Sequence, residues 1–484
     1  MGIVFKQSFR NTIITYLGFG IGAINTLFLY TNFLSDEYYG LVGFILSTSA
    51  ILMPLLAFGV PNTMVKYYSQ YRNSTEANGF LTLMLLLPLA IVIPCVYITY
   101  LGYEYINDFI SKENSIVEGH VWYIFIIGLA MAYFEIFNAW AKVQMNSVFG
   151  NFMKEVFVRL GVSILLVLVY LDIISIPFFI KSLVGLYLLR TIIMKLYAYS
   201  IKKPVLDFSL PKATTSIINY SALIILGASA SVIVLEIDRF MINQFIEIEN
   251  VAYYGVAIFI ATVIAVPSRS MHQITYPLTA ELLNSEDKKG LRALYKKSSL
   301  TLLIVSGLIF ILIISNLQGL YLLLPEDYRN GFYIVFVIGL VKVYDAVLGN
   351  NNAILYNSNY YRMVLWMGVV LAVLTIVFNL WLIPQFGVYG AATATFMAVS
   401  IYNTIKLIYV YKKFNILPFT KETVVVMLLL VGLGVVFYYI PIVSHPIISI
   451  ASKGALITAI YLWCLYKFNI SEDIHLILDK ILKR

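Results

Sequence analysis

Long apolar runs are the feature that most restricts how this 484-residue chain can fold. Hydrophobic residues make up 61% of it and charged residues only 12%. The apolar residues form runs of roughly 20 residues, each long enough for a helix that crosses about 30 Å of hydrocarbon. Since a water-soluble protein cannot bury so much apolar surface, the composition predicts an integral membrane protein.

The runs predict about fourteen transmembrane helices and an all-α fold class. A β-barrel does not fit, because barrel strands are about ten residues long and alternate in polarity. The predicted spans are 8–34, 39–60, 77–100, 120–143, 151–171, 176–199, 215–236, 251–274, 296–316, 330–350, 361–382, 389–411, 422–440 and 447–467.

The distribution of basic residues predicts that both termini lie in the cytoplasm. With the N-terminus inside, most of the 33 Lys and Arg residues fall in predicted cytoplasmic segments such as 200–214 and 287–297. The predicted outer loops instead carry acidic residues, as at 36–37 and 326–327. Because the basic residues are spread over several loops, the net charge of +8 is explained by membrane topology, and no nucleic-acid partner is predicted.

An internal repeat organises the chain. The stretch IIGLAMAYFEIFNAWAKVQMNS (126–147) aligns without a gap to VIGLVKVYDAVLGNNNAILYNS (337–358), and DEYYGLVGF (36–44) resembles NVAYYGVAIF (250–259). Six predicted spans separate the copies, so both halves enter the membrane in the same direction.

This repeat predicts two pseudo-symmetric six-helix lobes around a central cavity, followed by two additional helices. The predicted domains are an N-terminal lobe (1–200), a cytoplasmic inter-lobe linker (201–214), a C-terminal lobe (215–413), two additional transmembrane helices (414–467) and a cytoplasmic tail (468–484).

The sequence carries no pattern typical of an enzyme. It has no phosphate-binding G-x-x-x-x-G-K-[ST] motif, and its four histidines are scattered without metal-ligand spacing. The longest predicted outer loop, 101–119, is too short to hold a sugar-modifying active site. We therefore expect neither catalysis nor a metal or other cofactor, and secondary transport is the favoured class.

Glu135 is an ionisable residue deep within the fourth predicted span. Helical spacing places Met131, Glu135, Asn138 and Lys142 on one stripe. Charged residues within the hydrocarbon are costly and usually functional, so Glu135 and Asn138 are candidates for ion coupling or for a polar cavity wall. The alternative is a structural, hydrogen-bonded glutamate between helices.

The second copy of the repeat offers a corresponding polar wall. Lys342 takes the place of Met131, Asp345 lies one residue from the place of Glu135, and Asn352 continues the stripe. We expect Glu135 and the Lys342/Asp345 pair to face each other across the cavity. Alternatively, Lys342 and Asp345 neutralise each other as i, i+3 neighbours on one helix.

Three arginines complete the candidate site. Arg190 lies near the middle of the sixth predicted span, whereas Arg10 and Arg269 lie near inner ends of spans, where a long side chain can also reach the headgroups. With Lys342 they would form a cationic pocket. Arginine suits pyrophosphate, because its planar fork binds phosphate oxygens bidentately.

Four stretches carry a resemblance to a known family: FLSDEYYGLVGF (33–44), IDRFMINQFIEIENVAYYGVA (237–257), VPSRSMHQITYPLTAEL (266–282) and IPQFGVYGAATATFMAVS (383–400). By these motifs the chain resembles the multidrug/oligosaccharidyl-lipid/polysaccharide exporter superfamily. Within it, the chain is similar to the polysaccharide biosynthesis transporters of the O-antigen flippase type.

The resemblance implies a flippase that moves a polyprenyl-pyrophosphate-linked oligosaccharide to the outer leaflet by alternating access. It implies a place in the bacterial cytoplasmic membrane, a role in O-antigen, capsule or exopolysaccharide synthesis, and polymerase and glycosyltransferase partners. An H+ or Na+ gradient would supply the driving force.

Three other functions are open at this stage. A lipid II flippase would also have fourteen spans and a cationic cavity. A cation-coupled multidrug exporter usually has twelve spans and a carboxylate in the first, whereas residues 8–34 contain none. A non-transporting scaffold for glycan assembly would have no reason to keep charges within the membrane.

Overall fold

The computed structural model describes residues 3–72, 74–440 and 445–471; the predicted tail beyond 471 lies outside them. Within these ranges the chain is helical, with no β-strand, which confirms the predicted all-α class. The α-helices are α1 (Ile3–Ile24), α2 (Tyr30–Phe33), α3 (Asp36–Leu56), α4 (Val60–Tyr71), α5 (Ala77–Leu86), α6 (Leu89–Leu101), α7 (Tyr103–Ser111), α8 (Val121–Val143), α9 (Val148–Phe152), α10 (Val158–Tyr170), α11 (Ile176–Ile201), α12 (Thr214–Phe245), α13 (Glu249–Thr262), α14 (Val266–Asn284), α15 (Lys288–Tyr321), α16 (Phe332–Val347), α17 (Asn351–Tyr356), α18 (Tyr361–Phe414), α19 (Lys421–Tyr438) and α20 (Pro446–Lys467).

Ten helices in the described ranges are long and apolar enough to cross a membrane. An eleventh is α12, which bends by 51° between Thr214–Gly227 and Val232–Phe245. Length and composition therefore support ten or eleven spans, and the count of fourteen stays a prediction.

One reason for the lower count is that α18 consists of two helices in series. Gly387 has φ 57° and ψ −134°, a conformation open to glycine but not to residues with a side chain. This break falls between the predicted spans 361–382 and 389–411.

Two other predicted spans are helical but interrupted or charged. The segment around α9 and α10 contains a π-helical turn, Met153–Phe157, with Lys154 and Glu155 inside it. Between α16 and α17 the chain turns at Gly349, which has a φ of +54°. Such breaks inside a membrane helix leave backbone groups that neighbouring helices must satisfy.

Helix α12 is longer than the sequence predicted. Its predicted span ended at residue 236, whereas the helix continues to Phe245 and carries Glu236, Asp238 and Arg239 within it. Glu236 and Arg239 form an ion pair of 3.0 Å one helical turn apart. Because Glu236 and Arg239 neutralise each other, α12 continues through a charged segment where hydropathy predicted that the span ends.

Helix α15 extends well beyond the thickness of a hydrocarbon layer. Its 34 residues span about 50 Å at 1.5 Å per residue. The basic residues expected in a cytoplasmic loop lie in its first turns, and the Asp287 carboxylate accepts a hydrogen bond from Gly290 N at its start. The basic cluster at 288–297, which was predicted in or beside a cytoplasmic segment, is therefore helical.

The chain divides into two compact units. Unit 1 comprises Met1–Gly255 with Gly368–Ala391, and unit 2 comprises Val256–Met367 with Ala392–Arg484. In unit 1, α8 packs against α3, α4 and α11. In unit 2, α15 packs against α14, α16, α19 and α20. The lobes predicted at 1–200 and 215–413 stay a prediction.

The two C-terminal helices are anchored to α15 within unit 2. The Tyr461 hydroxyl donates to the Ile304 carbonyl at 3.1 Å, and the Lys453 ammonium donates to the Ser315 carbonyl at 3.3 Å. Both carbonyls are backbone acceptors within α15. The sequence predicted these helices as an addition outside the repeat, and the structure gives them a continuous apolar interface with α15.

The connection between α11 and α12, predicted as the inter-lobe linker 201–214, is an extended segment held against α5. Thr82 Oγ1 donates to the Val205 carbonyl at 3.3 Å and accepts from Asp207 N at 3.0 Å. Hydrogen bonds from the Ser209 hydroxyl and amide lower the pKa of Asp207. These contacts fix the path of the linker over unit 1.

The two copies of the Tyr-Tyr-Gly motif lie beside each other in unit 1. The Tyr253 hydroxyl donates to Asp36 Oδ2 at 2.8 Å. Gly40 allows close packing, since a Cβ there would lie 2.1 Å from the Ile248 carbonyl oxygen. The glycine is therefore required for the approach of α3 to the segment before α13.

Replacing Gly40 by alanine should lower the stability of the folded protein. Overpacking at such a contact costs about 1–3 kcal/mol. The control is Gly20→Ala, because a Cβ at Gly20 meets no atom within 4 Å and alanine favours the helix. Thermal unfolding of the detergent-purified proteins should give a lower midpoint for Gly40→Ala only. Equal midpoints for the two variants would contradict the close contact.

Candidate functional site

Glu135 is held by an ion pair between two helical segments of unit 1. Lys154 Nζ lies 2.6 Å from Glu135 Oε1, and Asn138 Nδ2 donates to Glu135 Oε2 at 3.3 Å. The Glu135 side chain is 19% exposed and that of Lys154 is 49% exposed. The carboxylate predicted from the sequence is thus neutralised by a cation that the sequence reasoning did not pair with it.

The approach of Lys154 to α8 depends on a glycine and on an irregular turn. A Cβ at Gly150 would lie 2.1 Å from Asn138 Oδ1, so a larger residue there would force the Asn138 side chain to move. Lys154 then follows in the π-helical turn Met153–Phe157. Turns of this kind insert an extra residue into a helix and often occur at functional sites.

A second lysine acts on the same carboxylate. Lys142, on the predicted stripe of α8, interacts electrostatically with Glu135 and is exposed. One carboxylate therefore faces two ammonium groups, and the cluster of Glu135, Lys142 and Lys154 carries a net positive charge.

Arg190 is buried between aromatic rings rather than open to solvent. It is 6% exposed, and its guanidinium carbon lies 4.1 Å from the ring centre of Phe134 and 4.8 Å from that of Tyr187. Its Nε has no hydrogen-bond partner in the part of the chain that the structure describes. Cation–π contacts thus stabilise much of its charge.

Arg10 is exposed on α1. Its neighbour Asn11 donates to Ser147 Oγ at 3.0 Å and accepts, through its carbonyl, from Asn151 Nδ2 at 3.0 Å. These bonds tie the first helix to the segment that precedes Lys154.

The predicted candidates in unit 2 gather around a lysine that the sequence reasoning missed. Lys406, in the second half of α18, is 1% exposed, and its Nζ donates to Asn352 Oδ1 at 2.9 Å. The ammonium lies 4.3 Å from the ring centre of Tyr402, and Asp345 is the carboxylate that acts on it electrostatically. Asn352 therefore bonds to Lys406 directly, whereas Asp345 acts on it at longer range.

The other two unit 2 candidates are less enclosed. Lys342 is half-buried one helical turn before Asp345, and Arg269 is exposed on α14. The expectation that Glu135 faces Lys342 and Asp345 across a cavity stays a prediction.

A second buried carboxylate also escaped the sequence reasoning. Asp238 is 4% exposed, accepts from the Tyr254 hydroxyl at 2.5 Å and accepts from Asn379 Nδ2 at 2.7 Å. The signal was available in the segment IDRF, but the predicted end of the span at 236 placed Asp238 outside the membrane. Among the residues that the structure covers, no three His, Cys, Asp or Glu side chains form a metal-binding group.

Solved structures with a similar fold are transporters. The chain matches a structure of the lipid II flippase MurJ in an inward closed conformation with a TM-score of 0.73 at 14% identity, covering 95% of this chain and 99% of that one. An inward-facing multidrug resistance MATE family transporter of the MOP superfamily matches with a TM-score of 0.61 at 14% identity, over 84% and 94% of the two chains. These similarities show that the chain shares the fold of these transporters.

Sequence comparison identifies the family. An uncharacterized membrane protein of Methanocaldococcus jannaschii is 21% identical to this chain over 94% of both proteins. The model of the family described as polysaccharide biosynthesis protein matches residues 4–283, more than half of the chain. The chain belongs to the polysaccharide biosynthesis protein family and has the multi-pass transporter fold of the MOP superfamily.

Proposed function

We propose that this protein is a flippase that moves a polyprenyl-pyrophosphate-linked oligosaccharide from the cytoplasmic to the outer leaflet by alternating access. The product would feed synthesis of a surface polysaccharide such as an O-antigen, a capsule or an exopolysaccharide. The proposal places the protein in the cytoplasmic membrane of a bacterium with both termini inside, without catalytic activity, beside glycosyltransferase and polymerase partners.

The ion pair between Glu135 and Lys154 is the observation that carries this proposal. Lys154 is half-exposed, so an incoming anion can reach it. A diphosphate presents several charged oxygens and competes well with one carboxylate for an ammonium group. Lys142 is a second ammonium group near the same carboxylate. Lys154 and Lys142 are thus the cations of unit 1 best placed to meet a diphosphate.

Glu135 would link substrate binding to a coupling cation. When a phosphate oxygen takes over Lys154, Glu135 loses its direct counter-ion and keeps the hydrogen bond from Asn138 and the weaker attraction of Lys142. A proton or Na+ then becomes a favourable partner for the carboxylate. Because coupling between two ligands is reciprocal, release of that cation would restore the ion pair and expel the anion.

The predicted arginines take different roles in this scheme. Arg190 is enclosed by Phe134 and Tyr187, so it would act on the site mainly through its charge. Arg10, Arg269 and Lys342 are more accessible and are proposed as further contacts for phosphate or sugar.

A lipid II flippase is the second candidate. Two features of the fold match favour it over a drug exporter: the TM-score of 0.73 to MurJ against 0.61 to a MATE transporter, and coverage of 95% of this chain against 84%. At 14% identity this similarity concerns the fold, and the headgroup that is carried needs a direct test.

Glu135→Gln should reduce export of the lipid-linked glycan while expression and membrane insertion stay normal. The amide keeps the size of the side chain but removes the charge that exchanges between Lys154 and a cation. Glu113→Gln is the matched control, because Glu113 belongs to a surface ion pair of 3.8 Å with Lys112. Surface glycan in cells that depend on the variant is the readout, and full export by Glu135→Gln would exclude the coupling role.

Lys154→Met should weaken binding of undecaprenyl pyrophosphate carrying N-acetylglucosamine by about tenfold or more. A hydrogen bond to a charged group contributes about 1.5–3 kcal/mol, and 1.4 kcal/mol is tenfold in affinity. Lys112→Met is the control from the surface pair. Affinity would be measured on the purified proteins for the lipid and for free N-acetylglucosamine; an equal loss for both would indicate structural damage instead.

Complementation should separate the two candidate functions. We expect this chain to restore surface polysaccharide in cells that lack their own polysaccharide flippase, and not to restore growth in cells depleted of their lipid II flippase. The reason is that the matched family model is that of polysaccharide biosynthesis proteins. Rescue of growth without rescue of polysaccharide would favour the lipid II flippase.

A further inference from the structure

Lys406 is a cation enclosed inside unit 2. Its side chain is 1% exposed in the second half of α18, which is long and apolar enough to cross a membrane. Burying an ammonium group without compensation is very costly, and a lysine within a membrane helix is a functional residue by default. The flippase scheme described above makes no use of it.

The partners of Lys406 resemble those of a bound metal cation. The Asn352 amide oxygen accepts its hydrogen bond at 2.9 Å, the Tyr402 ring lies 4.3 Å away, and Asp345 supplies a negative field. Amide and carboxylate oxygens are also the ligands that hard cations such as Na+ prefer. The Lys406 ammonium group therefore occupies a position beside Asn352 in which a free Na+ could otherwise bind.

Lys406 is stabilised without a direct ion pair. No carboxylate lies within 4 Å of its Nζ among the residues that the structure describes, so Asp345 acts at longer range. A buried amine held by a neutral amide can give up its proton at lower cost than one locked to a carboxylate.

Asn403 gives this face of α18 a second unusual feature. It lies three residues before Lys406, on the same side of the helix, and is fully buried. Both its Nδ2 and its Oδ1 are without a hydrogen-bond partner in the described part of the chain. This face of α18 therefore buries two polar side chains, Asn403 and Lys406, less than one helical turn apart.

The titratable surroundings of Lys406 come from several helices. They are Asp345 on α16, Tyr356 on α17, Tyr276 on α14 and Tyr402 on α18 itself, with Lys342 one turn before Asp345 and His272 of α14 at 3.3 Å from the Gly349 carbonyl oxygen. Among these groups Asp345 is the only carboxylate and Lys406 is the most enclosed amine.

We propose that Lys406 is a proton-binding residue that is required, in addition to Glu135, for coupling this transporter to a proton gradient, and that its ammonium group excludes Na+ from the surroundings of Asn352 and Asp345. The proposal rests on the proposed flippase function and names its coupling ion. In each cycle the neutral amine would take up one proton from the outer side and release it to the cytoplasm while one lipid-linked glycan moves outward. Only the N–H bond of the ammonium forms and breaks.

The test uses the full chain in proteoliposomes with undecaprenyl pyrophosphate carrying N-acetylglucosamine. The fraction of probe in the outer leaflet is read with an impermeant lectin, and the membrane potential is held at zero. A gradient of one pH unit should shift the wild-type ratio between leaflets by up to about tenfold at one proton per lipid. A Na+ gradient should leave the ratio of probe between the leaflets unchanged.

Two substitutions separate the proton role from a structural one. Lys406→Met fills the same volume without a charge, and Lys406→Arg keeps a charge that cannot be released. Both variants should equalise the probe between leaflets but lose the response to pH. Lys412→Met, at an exposed lysine on the same helix, should behave as wild type.

The outcomes distinguish this proposal from the one on which it rests. If wild-type protein does not move the probe between leaflets at all, the flippase function fails. If wild type moves the probe and Lys406→Met still responds to the pH gradient, the role of Lys406 is wrong. A wild-type response to Na+ instead of pH would also overturn it.

Discussion

The need to satisfy every backbone polar group inside hydrocarbon is the constraint on which this structure depends. In the absence of water, helices meet it within each segment, so the long apolar runs become helices. The same constraint governs the breaks: where the chain turns at Gly387 and Gly349, or widens into the π-turn that carries Lys154, neighbouring side chains and helices must complete the hydrogen bonding.

Charged residues within the helices follow the same logic. Glu135 has Lys154, Asp238 has Tyr254 and Asn379, and Lys406 has Asn352. In each case the partner comes from another helical segment of the same unit. Within one helix only residues three or four positions apart can contact each other, so most partners must lie on a neighbouring helix. Each pairing therefore fixes two segments together and also creates a group that a change in protonation or an incoming anion can release.

Solved transporter structures that are only 12–14% identical to this chain have a similar fold. What such transporters share is the order and length of apolar helices, which many sequences can provide. Which substrate and which ion are carried depends on a few polar side chains, and a shared fold does not specify them. The proposed roles of Lys154 and Lys406 therefore rest on contacts in this chain, and the fold supplies only their setting.

The sequence by itself determined that the chain is an all-helical membrane protein, where most helices lie, and that Glu135, Asn138, Asp345 and Asn352 belong to polar sites. These follow from hydropathy and helical spacing, which are local properties. Only the tertiary structure decided which cation pairs with Glu135, that Arg190 is enclosed by aromatic rings, and that Lys406 and Asp238 are buried. Partners from different helical segments meet through packing at residues such as Gly150, and no local sequence pattern predicts such contacts.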